Sequence, residues 1–241
     1  MKKVLFIMLI IVSVVACESE SRLASIEMIQ SVDAYVGNSI VLEVSHTPAN
    51  AMVPAYRFKT NNQFVASVTE QGTVVCNHVG TCTIQVATAD TRFSTTCIVN
   101  VKPNNALYTE PVLDFKTTKA AIKLKETDKA IVYETATMLI YQGIENPVQQ
   151  VAYQFDETRK LVTAVVKLST DASSELDSFM SECYNRYQAA GNNDLPVWRG
   201  NDTEVVVKAV NNTCFVVYNP FSGSSTCTSA LNTIEMLQSV K

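Results

Sequence analysis

Histidine is nearly absent from this chain of 241 residues: there are two, His46 and His78, and none in residues 104–241. Without an imidazole in that second half, a cysteine there has no neighbouring base to lower its pKa, and no nucleophile, base and orienter come together anywhere. An excess of positive charge is also missing. Lys and Arg number 19 against 23 Asp and Glu, a net charge of −4, the wrong sign for nucleic acid or for electrostatic attachment to anionic lipid. Tryptophan occurs once, at Trp198. The hydrophobic run Val4 to Val15 is too short to span a bilayer.

What is present begins with that run. Lys2 and Lys3 precede it and Val14-Val15-Ala16-Cys17 closes it, the order of a secretion signal. Its end resembles the lipobox of bacterial lipoproteins, which implies cleavage before Cys17 and a diacylglyceryl group on the Cys17 sulfur. Residues 1–16 would then be the signal peptide and 17–24 a polar tether, Glu18-Ser19-Glu20-Ser21-Arg22 leading it. Two acyl chains hold a protein stably where one holds it marginally, so a lasting membrane attachment in the cell envelope, at the outer membrane or cell surface, is expected. Loss of Lys2 and Lys3 takes the 19 basic residues to 17 against 23 acids, a net charge of −6.

Apart from Cys17 the chain has six cysteines, Cys76, Cys82, Cys97, Cys183, Cys214 and Cys227, and an exported chain meets an oxidising compartment. Residues 25–103 read as short strands between turns, with period-2 patterning or β-branched enrichment in Ser39–Val44, Val65–Val68, Gly72–Cys76, Thr81–Val86 and Thr96–Val101. Strands at this spacing with no helices predict a β-sandwich. Val36-Gly37-Asn38-Ser39, Thr47-Pro48-Ala49-Asn50, Phe64-Val65-Ala66-Ser67-Val68, Gly72-Thr73-Val74 and Gly80-Thr81-Cys82-Thr83-Ile84 occur in that order, and the segment resembles the bacterial Ig-like domain of group 2. Where that family has a Trp before its Ser/Asn-rich turn, this chain has Phe58. The resemblance implies that Val74 points inward. Alternation then turns Cys76, Cys82, Ile84 and Val86 inward as well. A disulfide Cys76–Cys82 across the two sheets is the expectation. In its alternative, Cys82–Cys97, a hairpin at Asp90-Thr91 pairs Cys82 with Val99 and leaves Cys97 a diagonal neighbour about 7–8 Å away, too far for an easy bridge. A zinc site at Cys76, His78 and Cys82 lacks a fourth ligand; neither metal nor cofactor is expected.

Pro103-Asn104-Asn105 reads as a linker to a second domain, residues 104–241. A short helix is expected in 118–127, strands in 131–133 and 137–143, and a hairpin of 148–155 with 160–168. After Asp171 the residues Leu176, Phe179, Met180, Cys183, Tyr184 and Tyr187 share one helical face. Strands 204–210 and 213–218 and a closing helix over 225–240 follow. The order predicts α+β, helices laid on one face of an antiparallel sheet. Glu182 and Asp177 fall on the helix's polar side, where a solvated face is expected. Cys214–Cys227 is the expected disulfide here, closing a short loop. Trp198 with Arg199 is the candidate binding pair, since both residue types concentrate at binding hot spots; a Trp folded onto the sheet is the alternative. These features predict a non-enzymatic lipoprotein whose Ig-like spacer presents the second domain to a protein or glycan, in cell adhesion or surface recognition. Alternatively, the second domain is a carboxylate-dependent hydrolase acting on cell-surface or extracellular polymers.

Overall fold

The computed structural model describes residues 21–52, 55–169, 173–187, 196–210, 213–221 and Ile234. Residues 1–16, Cys17, Asp171 and Cys227 lie outside the described residues, as does the expected closing helix apart from Ile234. Among the described residues no helix is long and apolar enough to cross a membrane.

Among the described residues the N-terminal region has nine strands. β2 (Ser31–Tyr35), β5 (Tyr56–Thr60), β8 (Gly80–Thr88) and β9 (Ser94–Lys102) form a sheet in the order β2-β9-β8-β5, with β2 and β9 parallel. β3 (Ser39–Val41), β7 (Thr73–Cys76) and β6 (Ala66–Val68) form a second sheet, while β1 (Ser25–Met28) pairs with β4 (Val44–Thr47). Between the sheets lies a core of small and branched side chains, among them Leu42, Val74, Ile84 and Val99. Alternation along β8 buries Cys82, Ile84 and Val86, and along β9 Cys97, Val99 and Val101, as period 2 requires. The β8–β9 register sets Cys82 opposite Val99 and Ile84 opposite Cys97, the pairing that a turn at Asp90-Thr91 dictates. Thr91 there adopts φ 60°. β1, β2 and β5 are only four or five residues long and mix polar with apolar side chains, so their periodicity is too brief to mark them in the sequence.

Phe58 packs against this core. Gly72 lies beneath its ring with φ 80°, and a Cβ at Gly72 would stand 2.7 Å from Phe58 Cζ. Both the backbone and the space therefore demand glycine.

The expected disulfides are not found. Cys76, Cys82, Cys97, Cys183 and Cys214 are free, buried thiols, so Cys76 and Cys82 are a correction, and the pair Cys214–Cys227 has only its first member described. Burial raises the pKa of each of the three N-terminal thiols, which thereby behave as small apolar groups; Thr60, bonded to Cys82, opposes the rise there. Thiolate is the species that forms disulfides, and burial keeps it scarce.

The C-terminal region centres on one antiparallel sheet of eight strands. The first four, β10 (Ile131–Glu134), β11 (Met138–Gln142), β12 (Val148–Phe155) and β13 (Leu161–Ser169), form a meander. The last four, β14 (Asn185–Tyr187), β15 (Val197–Arg199), β16 (Thr203–Val210) and β17 (Thr213–Pro220), form another. β17 pairs with β13, giving the order β10-β11-β12-β13-β17-β16-β15-β14. α1 (Lys119–Lys125) is capped by the Thr118 side chain, which accepts from Ala121 N, and it buries only Ile122; Leu124 is 80% exposed. α2 (Ser173–Cys183) buries Leu176, Phe179, Met180 and Cys183 against the face that holds Tyr141, Tyr153, Val166 and Val216.

Two expectations need correction. The helical stripe ends at Tyr184, since Tyr187 belongs to edge strand β14 and is 41% exposed. The sheet is covered on both faces rather than one: Met138, Ile140, Val165, Phe215 and Val217 pack on the opposite side with Ile234. Burial on both sides explains the unbroken apolar runs Met138–Tyr141 and Cys214–Tyr218, which lack the alternation of a half-solvated strand.

Candidate functional site

Trp198, one of the two expected binding residues, is 1% exposed and belongs to the core beneath the sheet. Arg199 is held just as firmly. Its Nε and Nη2 donate to Glu204 Oε2 at 2.8 and 2.7 Å, and its guanidinium lies 3.5 Å from the centre of the Tyr187 ring and 4.5 Å from that of Phe221. Glu204 is 2% exposed, so Arg199 is the counter-charge of a buried carboxylate. Both residues serve the fold, and neither is presented to a ligand as a hot spot would be.

The chain that follows them does reach a cleft. Gly200, Asn201, Asp202 and Thr203 line a cavity of about 300 Å³, together with Phe64 and Val79 of the N-terminal region and Glu110, Leu113, Cys183 and Tyr184 of the C-terminal region. The turn at its rim is set by Gly200 N donating to Thr203 O at 2.8 Å and Phe221 N to Asp202 O at 2.7 Å. Gly200 has Tyr184 against it, 3.1 Å from where a Cβ would stand.

The cleft exists because the two regions are joined by named bonds. His78, half-buried in the β7–β8 loop, stacks on Phe64 with ring centres 4.1 Å apart. Its Nδ1 donates to Phe64 O at 2.8 Å and its Nε2 meets the Asn185 side-chain amide at 3.1 Å. Val79 N donates to Glu182 O at 2.9 Å, and Asn201 Nδ2 to Asn62 Oδ1 at 3.0 Å. Asn104 of the linker donates through its N to Glu182 Oε2 at 2.6 Å and through Nδ2 to Val36 O at 3.2 Å. Glu182 is thus a junction residue, a correction to the solvated face that helical periodicity predicts, and the linker is tied on both sides. His78 is part of the same junction. Among the described residues no group of three or more His, Cys, Asp or Glu side chains is placed to hold a metal ion.

At one side of the cleft stands Glu110. Burial raises its pKa, while hydrogen bonds from Tyr184 and Tyr218 oppose the rise. Tyr184 Oη donates to Glu110 Oε1 at 2.8 Å, and the Tyr108 and Tyr218 hydroxyls meet at 2.6 Å. Burial pushes the Tyr184 phenol and the Cys183 thiol up as well, so neither supplies an anionic nucleophile. Asn201, Asp202 and Glu110 offer hydrogen-bonding groups alongside the apolar Phe64, Val79 and Leu113, the composition of a small polar-ligand site. No motif marks Glu110 in the sequence; only the fold brings it to Asn201 and Asp202.

No curated protein matches the chain. Among solved structures it is similar to domains 1–6 of the surface layer protein SbsC (13% identity, TM-score 0.30, 84% of this chain and 26% of that one). It is also similar to an intimin mutant from EHEC O157:H7 (11%, 0.26, 51% and 86%) and to a SusE-like surface located polysaccharide binding protein from Bacteroides thetaiotaomicron (11%, 0.22, 82% and 33%). The chain spans about a quarter of the length of the first of these. Likenesses this low leave the argument to the chain's own residues. Residues 28–99 match the family model of the bacterial Ig-like domain (group 2), which is the segment of β-strands that bears the resemblance in the sequence.

Proposed function

We propose that this protein is a non-enzymatic lipoprotein of the cell envelope, attached to the membrane through lipid on Cys17, that recognises a protein or glycan in the cleft between its Ig-like segment and its eight-stranded sheet. The observation that carries this reading is the composition of the cleft wall: hydrogen-bonding Asn201, Asp202 and Glu110 beside apolar Phe64, Val79 and Leu113, with the neighbouring thiol and phenol held protonated by burial. The Ig-like segment is then more than a spacer, because Phe64 and Val79 come from it. Exchange of residues 25–103 for another module of similar length is expected to abolish binding.

The test is a screen of the full chain against glycans and surface proteins, repeated with Asn201→Ala and Asp202→Asn. Binding that these variants weaken at least tenfold, roughly the effect of one lost hydrogen bond to a charged or well-placed group, supports the cleft. Binding indifferent to both, and to exchange of 25–103, overturns it. For the anchor, Cys17→Ala is expected to move the protein from the detergent-extracted membrane fraction to the soluble one; retention in the membrane refutes lipid attachment.

A second reading has one observation in its favour, namely that two carboxyl groups, Glu110 and Asp202, line the same cleft. A carboxyl whose pKa is raised by burial is suited to act as general acid while a second carboxylate acts as base or nucleophile. Hydrolysis of a glycan or peptide that disappears in both Glu110→Gln and Asp202→Asn would replace recognition by catalysis.

A further inference from the structure

The start of α1 and the β12–β13 hairpin enclose a separate hollow of about 480 Å³, lined by Thr118, Lys119, Ala120, Lys123, Ala136 and Arg159. Main-chain bonds fix its walls to each other, since Thr118 bridges to Lys160 and Leu161 N donates to Thr117 O at 3.1 Å. Three of the six lining side chains are cationic, in a chain whose net charge is −4.

The compensation of these cations is incomplete. Glu134 serves two of them, 2.7 Å from Lys123 Nζ and 3.8 Å from Lys119 Nζ. Lys119 is only 19% exposed in its side chain; it also donates to Thr135 O and lies 5.6 Å over the Phe155 ring. Arg159 occupies the left-handed region at φ 65° on the hairpin tip, where non-glycine residues are uncommon. Its guanidinium has no carboxylate partner among the described residues. The nearby Asp156 is occupied within the hairpin, its Oδ1 accepting from Thr158 Oγ1 at 2.8 Å and Lys160 N at 2.9 Å, and Glu157 does not line the hollow. Two ammonium groups that share one carboxylate, beside a guanidinium with none, leave positive charge in the hollow that an anion would neutralise.

We propose that this hollow is an oxyanion subsite, taking a carboxylate, sulfate or phosphate group of a ligand. Arg159 supplies the forked N–H donors, Lys119 and Lys123 supply compact charges, and the methyl groups of Ala120 and Ala136 leave room for the group's attached carbon skeleton. The subsite stands apart from the junction cleft and does not depend on what that cleft does.

The experiment is calorimetric titration of the full chain with sodium sulfate, sodium phosphate and sodium glucuronate, at ionic strength held constant with chloride. Saturable binding of at least one anion is expected, weakened roughly tenfold by Arg159→Gly, which removes the guanidinium while keeping φ 65° accessible, and likewise by Lys123→Gln. The tightest of the three identifies whether the anion is a sulfate, a phosphate or a carboxylate. Absence of saturable binding for all three, or binding unchanged in both variants, overturns the proposal.

Discussion

The two regions of this molecule are both β-structure, and they solve the burial problem differently. In the N-terminal region each strand gives one side to the core, which is filled by Val, Ile, Ala, Leu and three thiols, with Phe58 and Phe64 at its margin. In the C-terminal region the central strands give both sides, and the main core includes Tyr108, Tyr141, Tyr153, Tyr184, Tyr218 and Trp198. Large aromatics carry polar tips whose burial costs free energy unless they are hydrogen-bonded. The Tyr108–Tyr218 bond, the Tyr153 bond to Glu126 and the Tyr184 bond to Glu110 meet that cost, while the Tyr141 hydroxyl and Trp198 Nε1 are buried without a partner among the described residues. A core of aliphatic groups needs no such network, so polar partners matter more to the C-terminal region than to the N-terminal one.

The largest effect should come from breaking the aromatic and ionic supports of the C-terminal sheet. Trp198→Ala is expected to cost about 3–5 kcal/mol of stability by opening a cavity, and Arg199→Ala a similar amount, about 3–5 kcal/mol, by leaving Glu204 buried without its counter-charge. Denaturant unfolding measures both. Full stability of either variant with loss of ligand binding would return these residues to the role of a surface hot spot.

In the N-terminal region the comparable weak point is conformational. Gly72→Ala places a Cβ into the Phe58 ring at φ 80° and is expected to cost about 1–3 kcal/mol through overpacking and backbone strain. Phe58→Leu in the same chain should recover the overpacking part and leave the backbone part. An additive double variant would show that the ring is not the obstacle.

Joining the two regions should matter less. His78→Ala removes a side chain bonded to both Phe64 O and Asn185, for an expected loss of about 1–2 kcal/mol. The unfolding transitions of the two regions, followed by hydrogen exchange of each, are expected to separate further than in the wild type. Unchanged coupling would place the junction's stability in Glu182 and Asn104 instead.

The smallest expected change concerns pH. Because burial holds the Glu110 pKa above its ordinary value of 4.5, the fold favours the protonated acid: its contribution is fully present below that ordinary value and is lost as pH rises through the folded one. Glu110→Gln is neutral at every pH. It should therefore be more stable than the wild type at neutral pH, with the advantage fading as the pH falls through the raised folded value and gone below 4.5. An advantage that does not change with pH would mean that ionisation of Glu110 is not penalised in the fold.

Period-2 alternation determined the strands β7 to β9 and, about a turn at Asp90-Thr91, the Cys82–Val99 register; the inward direction of Cys76, Cys82, Ile84 and Val86 followed from that alternation together with the resemblance that turns Val74 inward. The patterning likewise determined the meander before α2 and the β16–β17 hairpin after it, but not the edge strands β14 and β15. Other features only the tertiary structure decided. Whether a buried cysteine is bridged depends on chain segments brought together from two sheets, and whether Trp198 faces ligand or core depends on which side of β15 is covered. The junction is the clearest case: His78 and Asn185 lie 107 positions apart, and nothing in either neighbourhood encodes the other. Glu110, Asn201 and Asp202 form one cleft for the same reason, because packing α2 and the linker against the Ig-like segment is a long-range event that no local pattern records.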